Sequence, residues 1–154
     1  AADHETCVRE WVTDMQSAGM ERVCSLIAAS DEEAEQSNLG IYSEAFGPEK
    51  TLHAAIPTNR LADPELLEST VLPFLDAATE NDEPVVVHGL SGLGRTGQVL
   101  AAWLAYDRDY RPHRAVRIVQ EYGRDPTEAI TAGSATETEL FELLETVREP
   151  ETKY

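Results

Sequence analysis

Apolar and polar positions along the chain follow two different periods. Val8, Trp11, Val12 and Met15 recur at steps of three and four, which puts one apolar stripe on a helix over ETCVREWVTDMQSAGM, with Gly19 as its stop. RVCSLIAAS is a continuous apolar run of strand length. DEEAEQSNLGIYSEAFG has an uneven helical pattern, with a break expected near Gly40, and TLHAAI reads as a short strand ahead of Pro57. DPELLESTVLPFLDAA opens with Asp63 as an N-cap and Pro64 at the first helical position, and Pro73 is expected to kink it. PVVVH is apolar on both faces, as a central parallel strand would be. TGQVLAAWLAYDRD and RPHRAVRIVQEYG read as helices, the second opened by Pro112. GRDPTEAI reads as a loop and short turn, and TETELFELLETVRE as a last amphipathic helix. Strands and helices alternate first, and helices follow. The expected fold class is therefore α/β, with a small, mostly parallel central sheet flanked by helices. A length of 154 residues suits a single domain over 1–154, and no repeat or linker interrupts it.

Charge changes the picture more than composition does. Apolar residues make up 42% of the chain, ordinary for a globular protein, but 29 carboxylates face 12 cations for a net charge of −17. Such a surface repels nucleic-acid backbones and anionic membranes, so neither is an expected partner. It also repels itself, and molar salt, with a Debye length of about 3 Å, screens that repulsion. Only Lys50 and Lys153 are lysines, a composition that fits a salt-adapted, halophilic cytosol; a merely acidic protein is the alternative. Cys7 and Cys24 make neither a metal spacing nor a disulfide framework, and Cys24 reads as a small buried hydrophobe. No signal peptide and no apolar run of membrane length are found, so a cytoplasmic location is expected.

Candidate chemistry concentrates in EPVVVHGLSGLGRTGQVLAAWLA, residues 83–105, where three motifs overlap. Gly92-x-Gly94-x-x-Gly97 has the spacing of a dinucleotide fingerprint, but two helices follow it and Arg114 stands near the place where an acidic strand end is needed. Gly89-x-x-x-x-Gly94-Arg95-Thr96 imitates a nucleotide-binding P-loop without its lysine, and the nearest strand-ending aspartate, Asp31, lies upstream. His88-Gly89-x-x-Gly92-x-x-Arg95-Thr96-Gly97 matches five of the six fixed positions of the cysteine-phosphatase signature, all but the cysteine. Main-chain N–H groups of Leu90, Ser91, Gly92, Leu93, Gly94 and Arg95 can curl into a nest around an anion. The following helix points its positive end at the same place, and the Arg95 guanidinium can clamp two phosphate oxygens.

On these residues the chain resembles the cysteine-based protein tyrosine and dual-specificity phosphatases, closest to small archaeal-type members. TLHAAIP resembles the strand before the family's acid loop, VVVHGLSGLGRTG its phosphate loop, and EYGRDPTEAI a later segment of salt-adapted members. The resemblance implies a protein tyrosine phosphatase-like fold and hydrolysis of phosphomonoesters through a cysteine thiolate, with no cofactor and no metal. It puts Gly89 at the nucleophile position, Arg95 as the phosphate clamp, and His88 and Thr96 as supports of the loop. The general-acid aspartate would follow the IP of the acid loop, where Thr58 stands. Asp63 is a weak alternative acid, better explained as a helix cap; Ser91, with no base beside it, is a poor nucleophile. Thr96 has a second reading as a helix cap. Family members begin with a short strand pair, and none is found here ahead of the first helix.

Departures at two catalytic positions favour a pseudophosphatase that holds phosphate or a phosphorylated residue on the 88–97 loop without cleaving it. An inactive Cys-to-Gly form of an active cysteine-dependent phosphatase is the alternative, and a scaffold kept for a partner is a third. Arg108, Arg111, Arg114 and Arg117, with His113, read either as a docking patch or as a solvated helix end paired with Asp107, Asp109 and Glu121.

Overall fold

The computed structural model describes residues 4–26, 40–56, 60–88 and 94–148. Part of the helix expected at 31–47, together with Thr58 and the loop positions Gly89, Leu90, Ser91, Gly92 and Leu93, lies outside the described residues.

Helix α1 (His4–Ser17) ends as its apolar stripe predicts. Met20 N–H reaches Met15 O and Gly19 N–H reaches Gln16 O, a paired closure that needs the positive φ of 95° at Gly19. Strand β1 (Arg22–Ser25) follows. Helix α2 covers residues 40–46 and stops at Gly47; the residues before Gly40, and with them the break expected there, lie outside the described residues. Strand β2 is Thr51–His53 and strand β3 is Val85–His88. The three strands are parallel in the order β2-β1-β3. PVVVH is therefore not the central strand of the described sheet; β1 is, with all four residues buried, while β3 is half-buried throughout. Apolarity on both faces reflects cover by helices above and below, and it does not distinguish a centre from an edge.

That cover follows the two-residue period. Val23 and Val86, paired in register, point to one face, where Val12 of α1 and Ile41, Tyr42 and Phe46 of α2 pack on them. Cys24 and Val87, the next pair, point to the other face, into the larger core. That core is built from α3 (Pro64–Leu66), a π turn (Leu67–Val71), α4 (Leu72–Glu80), α5 (Gly94–Arg108), α6 (Pro112–Glu121) and α8 (Glu137–Arg148), with the short α7 (Glu128–Thr131) beside α5. Leu140 and Leu144 of α8 are wholly buried there, and each such side chain contributes about 1.5–3 kcal/mol by burial.

Helix starts match their local signals. Asp63 Oδ1 accepts from Glu65 N–H at 2.9 Å with Pro64 behind it. Thr136 and Glu139 exchange side-chain and backbone bonds at the start of α8, a reciprocal cap. Proline has no N–H to give the carbonyl four residues back, and the helix is irregular where Pro73 was expected to kink it: it widens just upstream, with Leu72 N–H reaching Leu67 O.

Candidate functional site

The carboxyl ends of the strands meet one arginine. Leu26, just past β1, receives Ile56 N–H on its carbonyl and gives its own N–H to His88 O, so the three strand ends are held together. Arg95, in the first turn of α5, is 4% exposed, and its Nη1 donates to Leu26 O at 3.3 Å and to Ile56 O at 3.1 Å. Those two carbonyls belong to segments 69 and 39 residues away, and together they orient the guanidinium. Its Nη2 is buried and has no hydrogen-bond partner among the described residues. A buried polar group without a partner is expensive, and more so a charged one. Arg95 therefore presents unspent donor capacity beside the positive end of a fifteen-residue helix.

Thr96 Oγ1 is in the same condition, buried and unpartnered. Since α5 begins at Gly94, Thr96 lies inside the first turn and does not serve as its cap. His88 ends β3, with its ring edge-on to Trp11 at 5.3 Å and to Tyr42 at 5.7 Å. That packing ties the strand end to α1 and α2. Asp63 is exposed and engaged as the cap of α3. Cys24 is wholly buried in β1, and desolvation pushes its thiol up to about 12, so it is no thiolate. Cys7 falls on α1.

Two residues of α5 matter here that the motif did not single out for positioning. Gln98, 2% exposed, accepts Ala62 N–H on Oε1 at 2.8 Å and donates Nε2 to Arg60 O at 2.6 Å. It clamps the segment leading into α3 against α5. Gly97 allows the 125–126 backbone to lie on the helix, since a Cβ there would meet Asp125 C at 2.8 Å. Burial of the Asp125 carboxyl would raise its pKa, but hydrogen bonds from the Thr127 hydroxyl and N–H outweigh this and hold it below the usual range. No local signal marked either role, because their partners lie 28 or more residues away in sequence.

Part of the arginine-rich stretch is engaged elsewhere. Arg108 pairs with Asp107 at 3.2 Å, Arg114 stacks on Tyr110 at 4.4 Å, and Asp109 pairs with Arg148 of α8 at 2.9 Å. Arg111 and His113 line an open cavity of about 430 Å³ between α6 and α8.

The Tc-R-P family, described as a polymorphic toxin system DSP-PTPase phosphatase, matches residues 4–108. The chain belongs to this phosphatase family. No curated protein sequence matches it. Solved phosphatases share its fold. A Gly-to-Ala mutant form of Tk-PTP superposes with a TM-score of 0.67 at 24% identity, covering 94% of this chain and 87% of that one. Kinase associated phosphatase, with its catalytic cysteine replaced by serine, gives 0.72 at 16% identity, covering 95% and 78%. P. aeruginosa TpbA, in a Cys-to-Ser form in complex with pTyr, gives 0.58 at 22% identity, covering 90% and 80%. In this DSP-PTPase chain, as the motif matched, Arg95 and Thr96 stand where strand β3 feeds helix α5. No described helix is long and apolar enough to cross a membrane.

Proposed function

We propose that the chain binds a phosphate monoester or phosphorylated residue at its 88–97 loop and does not hydrolyse it. The observation that carries this reading is Arg95: buried, oriented by two strand-end carbonyls, with Nη2 left for a ligand oxygen. The helix end beside it favours an anion, and the Thr96 hydroxyl supplies another unspent group. Gly89 takes the nucleophile position and offers no atom to attack phosphorus. Thr58 takes the general-acid position, and Asp63 holds its helix. Buried Cys24, with its raised pKa, offers no substitute. A phosphotyrosine-like ligand is in keeping with TpbA in complex with pTyr, and a phosphorylated lipid headgroup with PTPMT1 in complex with PI(5)P.

Phosphate or tungstate raises the melting temperature by mass action, about 2.7 kcal/mol of stabilisation at a hundredfold excess over Kd. Aryl phosphate hydrolysis stays at background. A transition unmoved by saturating anion would remove the binding reading. Turnover that disappears in Arg95→Ala would restore the enzyme reading. Gly89→Cys paired with Thr58→Asp tests whether an active phosphatase underlies the chain. The charge of −17 further supports salt adaptation, so melting temperature rises from low to molar sodium chloride; a flat curve would remove that part.

A further inference from the structure

We propose that the open groove between α6 and α8 is the contact face of a twofold dimer of this chain. This face is separate from the phosphate-binding loop. Helix α5 runs fifteen residues, about 20 Å, and Arg95 lies in its first turn, whereas α6 begins at Pro112, just past its far end. The groove, a cavity of about 430 Å³, has walls of opposite sign. Arg111, Pro112 and His113 line it from α6, and Phe141, Glu142 and Glu145 line it from α8. Arg114 and Arg117, both exposed, continue the basic wall from Arg111 at steps of three, the spacing of neighbours on one helix face.

The carboxylates expected to neutralise this stretch are placed elsewhere. Asp107 pairs with Arg108 and Asp109 with Arg148, and no ion pair joins Arg111, Arg114 or Arg117 to a carboxylate among the described residues. Arg114 lies over the Tyr110 ring instead. The signs are also reversed for the helices that carry them. Helix starts favour carboxylates, yet α6 has none in its first turn and has Arg111, His113 and Arg114 there. Helix ends favour cations, yet Glu145 stands in the last turn of α8, held by Arg148, and Glu142 one turn before it has no ion-pair partner among the described residues. A second copy, turned by a twofold axis, sets its α8 wall against the first copy's α6 wall, and its α6 wall against the first copy's α8 wall. Glu142 then meets the basic helix start twice over, and Pro112 and Phe141 supply the apolar centre. A partner of one sign would meet a wall of its own sign, whereas a second copy meets the opposite sign on both. At physiological salt the Debye length is about 8 Å, so these close charges outweigh the more distant ones behind the net −17 of each copy.

Sedimentation equilibrium of the full chain at about 0.15 M salt, in a concentration series reaching about 1 mM, tests this. A species of about 34 kDa, twice the 17.0 kDa of the chain, is expected. A monomer throughout overturns the dimer and leaves the groove to another occupant, residues 149–154 or a different protein. Charge reversal then locates the contact. Arg111→Glu/Arg114→Glu and Glu142→Arg each set like charges against each other in a self-pair, and each is expected to weaken self-association about a hundredfold. Mixed one to one, the two variants meet with opposite signs on both walls, and a heterodimer of near wild-type affinity is expected. All three substituted residues are exposed, so each variant alone keeps the wild-type circular dichroism. Self-association unchanged in either variant, or a mixture no tighter than its parts, overturns the proposal, because the copies then meet through another surface.

Discussion

The two ends of the β-sheet treat their buried arginines in opposite ways. At the amino end, Arg22 gives Nε and Nη2 to Glu83 Oε1 at 3.0 and 2.8 Å and lies over the Phe74 ring at 5.1 Å. Lys50 takes the other carboxylate oxygen, so each strand's beginning is tied to one acid. At the carboxyl end, Arg95 has one amino group tied to two carbonyls and the other unpartnered, with no described carboxylate paired to it. A satisfied arginine stabilises a fold; one left short of partners at a helix start is the kind of group a ligand completes. The difference supports the proposed anion site at the carboxyl end, because both residues are almost equally buried, at 8% and 4% exposure.

The sharpest way to break this comparison is to remove each arginine in turn. Arg95→Ala should abolish the phosphate-induced rise in melting temperature. Arg22→Ala should lower the melting temperature in buffer yet keep the phosphate response. Equal effects on both readouts would erase the distinction. Next in size is Gly97→Ala, which forces a Cβ to within 2.8 Å of the Asp125 backbone. Overpacking of this kind costs about 1–3 kcal/mol, read by urea unfolding, and the upper end is expected because backbone must move. Gln98→Ala leaves the Ala62 N–H and Arg60 O without their partner and should cost about 1–3 kcal/mol. It should also speed amide exchange at Ala62, and unchanged exchange there would argue against the clamp.

The smallest effect concerns pH. Hydrogen bonds from Lys50 and then Arg22 hold Glu83 below its ordinary pKa. A carboxylate depressed in the folded state contributes stability that is present above the unfolded value of about 4.3 and is lost as pH falls through the folded value. Acid unfolding should therefore be shallower below pH 4 in Glu83→Gln than in the wild type. Identical slopes would show that the amino-end cluster does not sense protonation.

Local chemistry was legible along the chain. Asp63–Pro64 and Gly19 start or stop helices through contacts within five residues, and those contacts are written in the order of the residues. Pro73 marked an irregular place in its helix, but the π turn just upstream was not legible, because a helix can widen as well as bend when a donor is missing. The rank of β3 in the sheet was misjudged because helices cover both of its faces whether it lies at the centre or the edge. The phosphatase family was legible from the signature around Arg95, since that signature is a continuous stretch.

By itself, then, the order of residues determined the α/β class, several helix ends and the phosphatase-family signature around Arg95. The tertiary structure alone decided which carbonyls hold Arg95 Nη1 and which segment Gln98 clamps. The physical reason is range. Caps and turns are settled by neighbours in the chain, whereas the state of a buried guanidinium depends on carbonyls 39 and 69 residues away, brought to it only when the sheet assembles.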